Sequence, residues 1–333
     1  VNHKHPQIPH PGNLIGLGFS YLWSRLTYRA TVWGNPVVVM IEPTDRCNLK
    51  CPLCHVGSGK LKRSPRNLSL DEFRTILDKL PHTVRVLQLW NQGEPFMNPQ
   101  FLDMVRLASN RGYHTITNTN AHFLNQDGTA QAVIDCGLDE LVVSLDSVDP
   151  QTYQSVRQGG DLPTVLAGVK KVATAKADSG AAAPHISAQC LLLKQVEPHL
   201  TDVKHTAEQL GADRVLWKTT QVLSLDEARQ VLPQNHNLWR YKIRGNELVT
   251  KRRWEGCLRT WFSTVILCDG SVVPCCFDKD GEYIMGNLLT QDFQRIWHGD
   301  RYMDFRHKTM RRRVFPMCLN CTEGLSNLFV KLR

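Results

Sequence analysis

From about residue 36 onward, two hydrophobic periods alternate along the chain. Short β-rich runs lie at 37–41, 84–90, 114–118, 140–145, 185–193 and 214–217. Between them, apolar residues recur at helical spacing over 70–80, 99–111, 127–136, 162–178 and 200–210. The runs predict strands and the spaced segments predict helices. Ser69 stands before the first of these helices with Glu72 three residues on, the spacing of a capping box. Six strands alternating with helices imply a parallel sheet, open or curled into a barrel. In such sheets the working residues gather at the C-terminal ends of the strands.

After residue 220 this rhythm stops. Residues 221–256 are polar, include Lys251-Arg252-Arg253 and read as a linker. Beyond them, apolar pairs at 265–267 and 272–273 flank Asp269-Gly270, a hairpin signal, and 290–298 and 301–309 read as helices. The expected organisation is an N-terminal apolar extension (1–35), a main unit (36–220), the linker (221–256) and a smaller C-terminal unit (257–333). In the extension, Leu14, Leu17, Tyr21 and Leu22 recur at helical spacing, with Trp23, Leu26 and Trp33 nearby. Such a segment either packs its apolar face on the main unit, or lies on a membrane surface or caps a substrate cavity. No apolar run reaches the roughly 18 residues a membrane span needs.

Composition narrows the function classes. A hydrophobic share of 42% in 333 residues excludes a disordered chain. The net charge of +9 fits an anionic partner, whether a phosphorylated substrate, an acidic peptide, nucleic acid or a membrane surface, and equally a soluble enzyme that is basic overall. The basic run Lys308, Arg311, Arg312 and Arg313 reads either as a nucleic-acid patch or as a solvated helix end. Of the 11 cysteines, Cys47, Cys51 and Cys54 form one group, six fall between Cys257 and Cys321, and Cys136 and Cys190 stand apart as candidate buried hydrophobes. The first residues lack the pattern of a signal peptide. Clustered cysteines without an export signal argue for metal or redox chemistry in a reducing, cytoplasmic compartment, with association to a membrane through the N-terminal segment as a further expectation.

Cys47-x3-Cys51-x2-Cys54 follows the first strand. Three thiolates from one loop can hold a four-iron cluster and leave one iron open, or, with His55 as a fourth ligand, a zinc ion. Further motifs stand at the ends of later strands: Gln92-Gly93-Glu94-Pro95, Thr119-Asn120 and Ser144-Leu145-Asp146, with Arg157 beyond. Together these resemble the radical S-adenosylmethionine (radical SAM) superfamily over residues 36–217. The resemblance implies a partial (β/α)6 barrel and a cluster at Cys47, Cys51 and Cys54 whose open iron is chelated by S-adenosylmethionine. It also implies cofactor contacts from Gly93, Glu94, Pro95, Asn120, Ser144, Asp146 and Arg157. A structural ion pair is the other reading of Asp146 and Arg157. Two departures stand out: Leu53 replaces a common aromatic residue, and Gln92 replaces the first glycine of the Gly-Gly-Glu-Pro motif.

In the C-terminal unit, two thiolate pairs come together, Cys257 with Cys275 and Cys318 with Cys321. Four thiolates hold zinc or a closed iron–sulfur cluster. The pattern Cys257-x12-Gly270-x4-Cys275, followed by Gly286-Asn287-Leu288, Ile296-Trp297, Phe305-Arg306 and Cys318-x2-Cys321, resembles a SPASM domain, in its shortened, single-cluster (twitch-like) form. That implies a small α+β unit with one auxiliary 4Fe–4S cluster at Cys257, Cys275, Cys318 and Cys321. Cys268 and Cys276 are close enough to be alternative ligands.

A fully ligated auxiliary cluster suits electron transfer, and a structural staple is its other role. The reading that follows is a radical enzyme that abstracts a substrate hydrogen and passes an electron to the auxiliary cluster, a net oxidation of a small molecule, anionic or lipid-like. The resemblance implies reduced flavodoxin or ferredoxin as electron donor. A peptide-modifying enzyme is the alternative, although the 35 residues before the first strand are few for a peptide-recognition domain. A non-catalytic iron–sulfur or zinc protein binding nucleic acid is a remote third. Asp278, Tyr283 and His55 are candidate bases facing a cavity between the two units.

Overall fold

The computed structural model describes residues 11–222, 224–251, 256–311, 314–319, 321 and 329–330. Strands β1 (Val38–Ile41), β2 (Val86–Gln88), β3 (His114–Thr119), β4 (Glu140–Ser144), β5 (His185–Leu192) and β6 (Arg214–Thr219) lie side by side in chain order, every pair parallel. Helix α1 (Pro11–Thr27) precedes them. Helices α2 (Leu70–Lys79), α3 (Phe101–Asn110), α4 (Thr129–Asp135), α5 (Pro150–Val156), α6 (Leu162–Asp178) and α7 (Leu200–Leu210) fill the crossovers. This is the expected partial (β/α)6 barrel.

Local chemistry explains the elements. The Ser69 hydroxyl accepts the Glu72 N–H while the Glu72 carboxylate accepts the Ser69 N–H, so α2 starts on the predicted capping box. The short α5 lies outside the hydrophobic pattern. Asp149 caps it by accepting the Thr152 N–H, and Pro150 sits in its first turn.

Along the strands the two faces divide by the period of two. Val39, Ile41, Leu87, Leu141, Val143, Ala188 and Cys190 pack in the core with Phe73, Phe101, Met104, Val165 and Val169 of the helices. Met40, Gln88, Asn118, Val142, Gln189, Leu191, Leu216 and Lys218 line the lumen. Cys136 and Cys190 are both buried, as expected.

The described residues of 221–256 are more ordered than a linker. They carry helix α8 (Leu225–Val231) and a hairpin of β7 (Tyr241–Arg244) and β8 (Glu247–Thr250). Val222, Ala228, Leu232, Trp239 and Tyr241 form a small core of their own. Those five residues are spread among polar ones, so no periodic stretch betrays them. Arg252 and Arg253 lie outside the described residues, as do Arg312 and Arg313.

The C-terminal unit extends the barrel sheet. After α9 (Arg259–Phe262), strand β9 (Ser263–Ile266) pairs parallel with β1 on the edge opposite β2. Strands β10 (Ser271–Val273) and β11 (Gly286–Asn287) follow antiparallel. The predicted hairpin turn is there, with Gly270 at φ +81°. Helices α10 (Phe293–Trp297), α11 (Asp300–Thr309) and α12 (Pro316–Leu319) complete the unit. Strand β12 (Phe329–Val330) returns to pair antiparallel with β6, making ten strands in one sheet. Arg306 is fully buried at the centre of this unit. Its guanidinium donates to the carbonyls of Thr260 and Trp297 and lies 4.0 and 3.9 Å from the ring centres of Trp297 and Tyr302.

Candidate active site

The loop after β1 carries Cys47, Cys51 and Cys54 and is clamped from several sides. The Lys50 N–H donates to the Gln158 carbonyl at 2.8 Å, and the Arg66 N–H to Asp45 Oδ1 at 2.8 Å. The Thr44 hydroxyl reaches Asn67 Oδ1 at 2.7 Å. Donors surround the sulfurs: the Leu49 N–H lies 3.5 Å from Cys47 Sγ, Asn120 Nδ2 3.9 Å from the same atom, and Arg157 Nη1 3.9 Å from Cys51 Sγ. Burial pushes the Cys47 thiol up to about 11 and raises Cys51, against the pull of Arg157. Buried thiols ringed by donors and a guanidinium fit metal thiolates, which ligation deprotonates and the donors stabilise. His55 Nε2 pairs with Asp280 Oδ2 at 3.1 Å, and among the described residues its ring does not gather with the three sulfurs into an ion-sized group of ligand atoms. Three cysteines and no fourth side chain fit a cluster with one open iron.

Gly93 and Glu94 lock this loop to the end of β2. Gly93 has φ +74°, and a Cβ there would stand 2.6 Å from the carbonyl oxygens of Thr44 and Arg46. The Glu94 N–H donates to the Arg46 carbonyl at 2.7 Å. Its buried carboxylate accepts the Thr119 hydroxyl and the Asn120 N–H, both at 2.7 Å, and the Phe96 N–H at 3.3 Å, ahead of Pro95 in a short 3-10 turn. Burial raises it to about 7 despite those donors. Asn120 continues the chain of contacts. Its Nδ2 donates to Asn48 Oδ1 at 2.8 Å and its Oδ1 faces His122 Nδ1 at 3.1 Å. The Asp161 N–H donates to His122 Nε2 at 2.7 Å, so the proton of a neutral imidazole sits on Nδ1, in keeping with the lowering of His122 by burial.

At the end of β4, Ser144 Oγ donates to Asn118 Oδ1 at 2.9 Å. Asp146 takes the left-handed backbone at φ +55° and is fully buried. Arg157 binds it through Nε at 2.6 Å and Nη2 at 2.5 Å, and the Leu191 N–H binds its other oxygen at 2.7 Å. Burial alone would lower Arg157, but Asp146 and Cys51 hold it above its ordinary value. The Asp146–Arg157 ion pair therefore exists, and it lies against the cysteine loop.

The lumen opens into a cavity of about 730 Å³ running from Arg214, at the start of β6, to Thr219, Thr220 and Gln221 at its end. Six amides face it: Gln88, Asn91, Gln92, Asn118, Gln189 and Gln221. So do five cations, Arg214, Lys218, Arg240, Arg259 and Lys279. Its described lining contains no carboxylate. Arg214 pairs with Glu140 at the lower mouth, and the others stand near the cysteine-bearing end.

Cys257, Cys275, Cys318 and Cys321 line one small cavity in the C-terminal unit. Arg259 and Phe277 line both that cavity and the lumen, so they form the partition between them. Cys276 faces the lumen, and Cys268 is buried beside Glu42 and Arg63. Neither lines the small cavity. Of the candidate bases, none lines the lumen. Asp278 is buried, its carboxylate accepting the Glu282 and Tyr283 N–H groups at 2.8 Å each; Tyr283 packs edge-on to Phe315 and tilted against Phe305; and His55 is held by Asp280.

Sequence reasoning missed the group that joins the two units. Arg63 grips Glu42 through both nitrogens at 2.8 and 2.9 Å, and Asn91 Nδ2, the Gln92 N–H and the Cys268 N–H also reach that carboxylate. Burial raises Glu42 even against this guanidinium. A charged residue directly after an apolar strand was the available signal.

Two family models match the chain: the radical SAM superfamily over residues 41–181 and an iron–sulfur cluster-binding domain, SPASM, over 257–322. Among curated proteins, it is 26% identical over 87% of its length, and 88% of the relative's, to the tungsten-containing aldehyde ferredoxin oxidoreductase cofactor-modifying protein of Pyrococcus furiosus. It is 29% identical to the PqqA peptide cyclase of Bradyrhizobium diazoefficiens over 56% of its own length and 47% of that protein's. Streptococcus suis SuiB bound to S-adenosylmethionine superposes with a TM-score of 0.64 at 15% identity, over 90% of this chain and 75% of the other, a likeness of fold.

Proposed function

The chain belongs to the radical SAM superfamily and carries a C-terminal SPASM domain, and from that premise we propose that it oxidises a small anionic molecule held in the barrel lumen. Its cofactors are S-adenosylmethionine and 4Fe–4S clusters. When bound, these supply a hydrogen-abstracting radical at the top of the barrel and a one-electron acceptor behind the lumen wall. Cys47, Cys51 and Cys54 hold the first cluster, and Cys257, Cys275, Cys318 and Cys321 the auxiliary one. Gly93, Glu94 and Pro95 shape the rim that receives the cofactor's amino group. Since the Glu94 carboxylate already accepts three protein donors, it acts chiefly by fixing Asn120 and the backbone around it. Asn120 and Ser144 would hold the ribose side of the cofactor, and Arg157, oriented by Asp146, would pair with its carboxylate. Arg259 and Phe277 separate the substrate from the auxiliary cluster by a single layer of side chains. Reduced flavodoxin or ferredoxin supplies the starting electron.

The observation that carries the substrate class is the lumen lining: four cations besides the Glu140-paired Arg214, six amides and no carboxylate among its described residues. A cavity of about 730 Å³ suits a metabolite. A peptide substrate is the second reading, supported by the relative named as a peptide cyclase. Fractionated cell extract separates the two. The fraction that stimulates S-adenosylmethionine cleavage should be of low mass, retained on an anion exchanger and resistant to protease, and its product should be two hydrogens lighter. Stimulation abolished by protease would overturn the small-molecule reading in favour of the peptide.

A further inference from the structure

Helix α1 is turned inside out. The side it presents to the protein carries Leu17, Ser20, Tyr21 and Ser24, all buried. The two serine hydroxyls are satisfied internally: Ser20 donates to the Leu17 carbonyl at 3.0 Å, and Ser24 to the Ser20 carbonyl at 2.6 Å while accepting the Thr31 N–H at 2.8 Å. The opposite side carries Ile15, Phe19, Leu22, Trp23 and Leu26, each between 51% and 75% exposed. At 3.6 residues per turn these five fall within about 100° of the helix circumference, an unbroken apolar stripe. Tyr28 and Trp33 beyond the helix are also at least half exposed, and the Trp33 and Trp23 rings lie 6.2 Å apart. This patch holds seven of the twelve large exposed apolar side chains among the described residues, so it is a local feature and not a general property of the surface.

The helix is held firmly in that orientation. Gly16 lets it lie against the Trp33 carbonyl, which a Cβ would approach to 2.2 Å. Tyr21 packs edge-on to Trp261 at 5.0 Å, and Arg25 donates to the Met310 carbonyl at 2.8 Å. The segment that carries the patch is basic. No Asp or Glu occurs before Glu42 in the sequence. Arg25, Arg29 and Arg311 flank the C-terminal end of the helix, with the Arg311 guanidinium 3.3 Å from the Tyr28 ring centre.

We propose that α1 and the turn after it are a docking surface for an anionic phospholipid bilayer, with the helix lying in the plane of the interface. No helix among the described residues is long and apolar enough to cross a membrane, so the contact is monotopic. The chemistry separates this occupant from a protein. A specific protein interface sets hydrogen bonds within its contact area that fix register, whereas this stripe offers no polar side chain between Ile15 and Leu26 on its outer face. A bilayer asks for apolar depth, aromatic rings at the headgroup level and cations at the rim, and all three are present.

The test uses the whole cluster-loaded protein and flotation with vesicles of phosphatidylcholine alone, or of phosphatidylcholine and phosphatidylglycerol mixed two to one. The native protein should float with the anionic vesicles and lose most of that binding in high salt or on neutral vesicles. The variant F19S/L22S/W23S should lose about tenfold in binding while keeping its iron content and S-adenosylmethionine cleavage. Vesicles with brominated acyl chains give a second reading: they should quench tryptophan fluorescence in the native protein and markedly less in Trp23→Phe. No flotation and no quenching by the native protein would overturn the proposal. So would light scattering that shows a dimer abolished by the same triple variant, since the stripe would then bind a second copy.

Discussion

Glu94 and the Arg157–Asp146 pair are charges on which the cysteine loop depends. Glu94 is raised to about 7, above its ordinary value, so in the apo chain it favours the folded state at low pH, and this contribution disappears as pH rises through about 7. Replacing it by glutamine should therefore flatten the pH dependence of apo-chain stability between pH 5 and pH 8 by about 2 kcal/mol, read by urea unfolding. An unchanged slope would assign the titration elsewhere. Arg157→Gln leaves Asp146 buried without its guanidinium and should cost about 3 kcal/mol, with weakened S-adenosylmethionine binding by calorimetry. At this scale the cysteines were legible because ligand spacing is local in sequence. The Glu42–Arg63–Asn91 group was not, because its members come from three separate segments and meet only in the fold.

Elements place these residues through close backbone approach. Gly93 lies against the carbonyls of Thr44 and Arg46 with φ +74°, a geometry that any Cβ disrupts. Gly93→Ala should shift the loop of Cys47, Cys51 and Cys54 and lower iron per chain by about half after reconstitution, the auxiliary site keeping its share. Full iron content in this variant would show that the loop tolerates the displacement. Helix α2 was legible because its capping box is written in adjacent residues. Helix α5 was not, since it is too short to establish a period and rests on the Asp149 cap. The ordered elements between 225 and 250 escaped for a related reason: the five core residues around them are too sparse to register as a pattern. Helix α1 showed helical spacing, but spacing alone does not say which face meets the protein, and the face turned outward is the apolar one.

The two units act as one molecule because β9 pairs with β1, so the auxiliary site is mounted on the same sheet as the first cysteine loop. The six-strand order was readable from alternation. This pairing was not, as it joins residues more than 200 positions apart and leaves no local trace. Glu42 reinforces it by accepting N–H donors from Gln92 and Cys268. Glu42→Gln should leave Arg63 with only Asp45, at 3.5 Å, as a charged partner and speed amide hydrogen exchange at β9 and β10, while exchange at β4 and β5 stays as in the native chain. The sheet also brings the lumen and the auxiliary cavity to either side of Arg259 and Phe277, the arrangement the proposed oxidation requires.

The chemistry turns on radical cleavage of S-adenosylmethionine at the first cysteine loop. The direct measurement is 5′-deoxyadenosine formed after anaerobic cluster reconstitution and reduction, comparing the native chain with one in which Cys47, Cys51 and Cys54 are alanine. Product from the native chain alone is the predicted result. No product from the native chain, with iron confirmed at the first site, would contradict it.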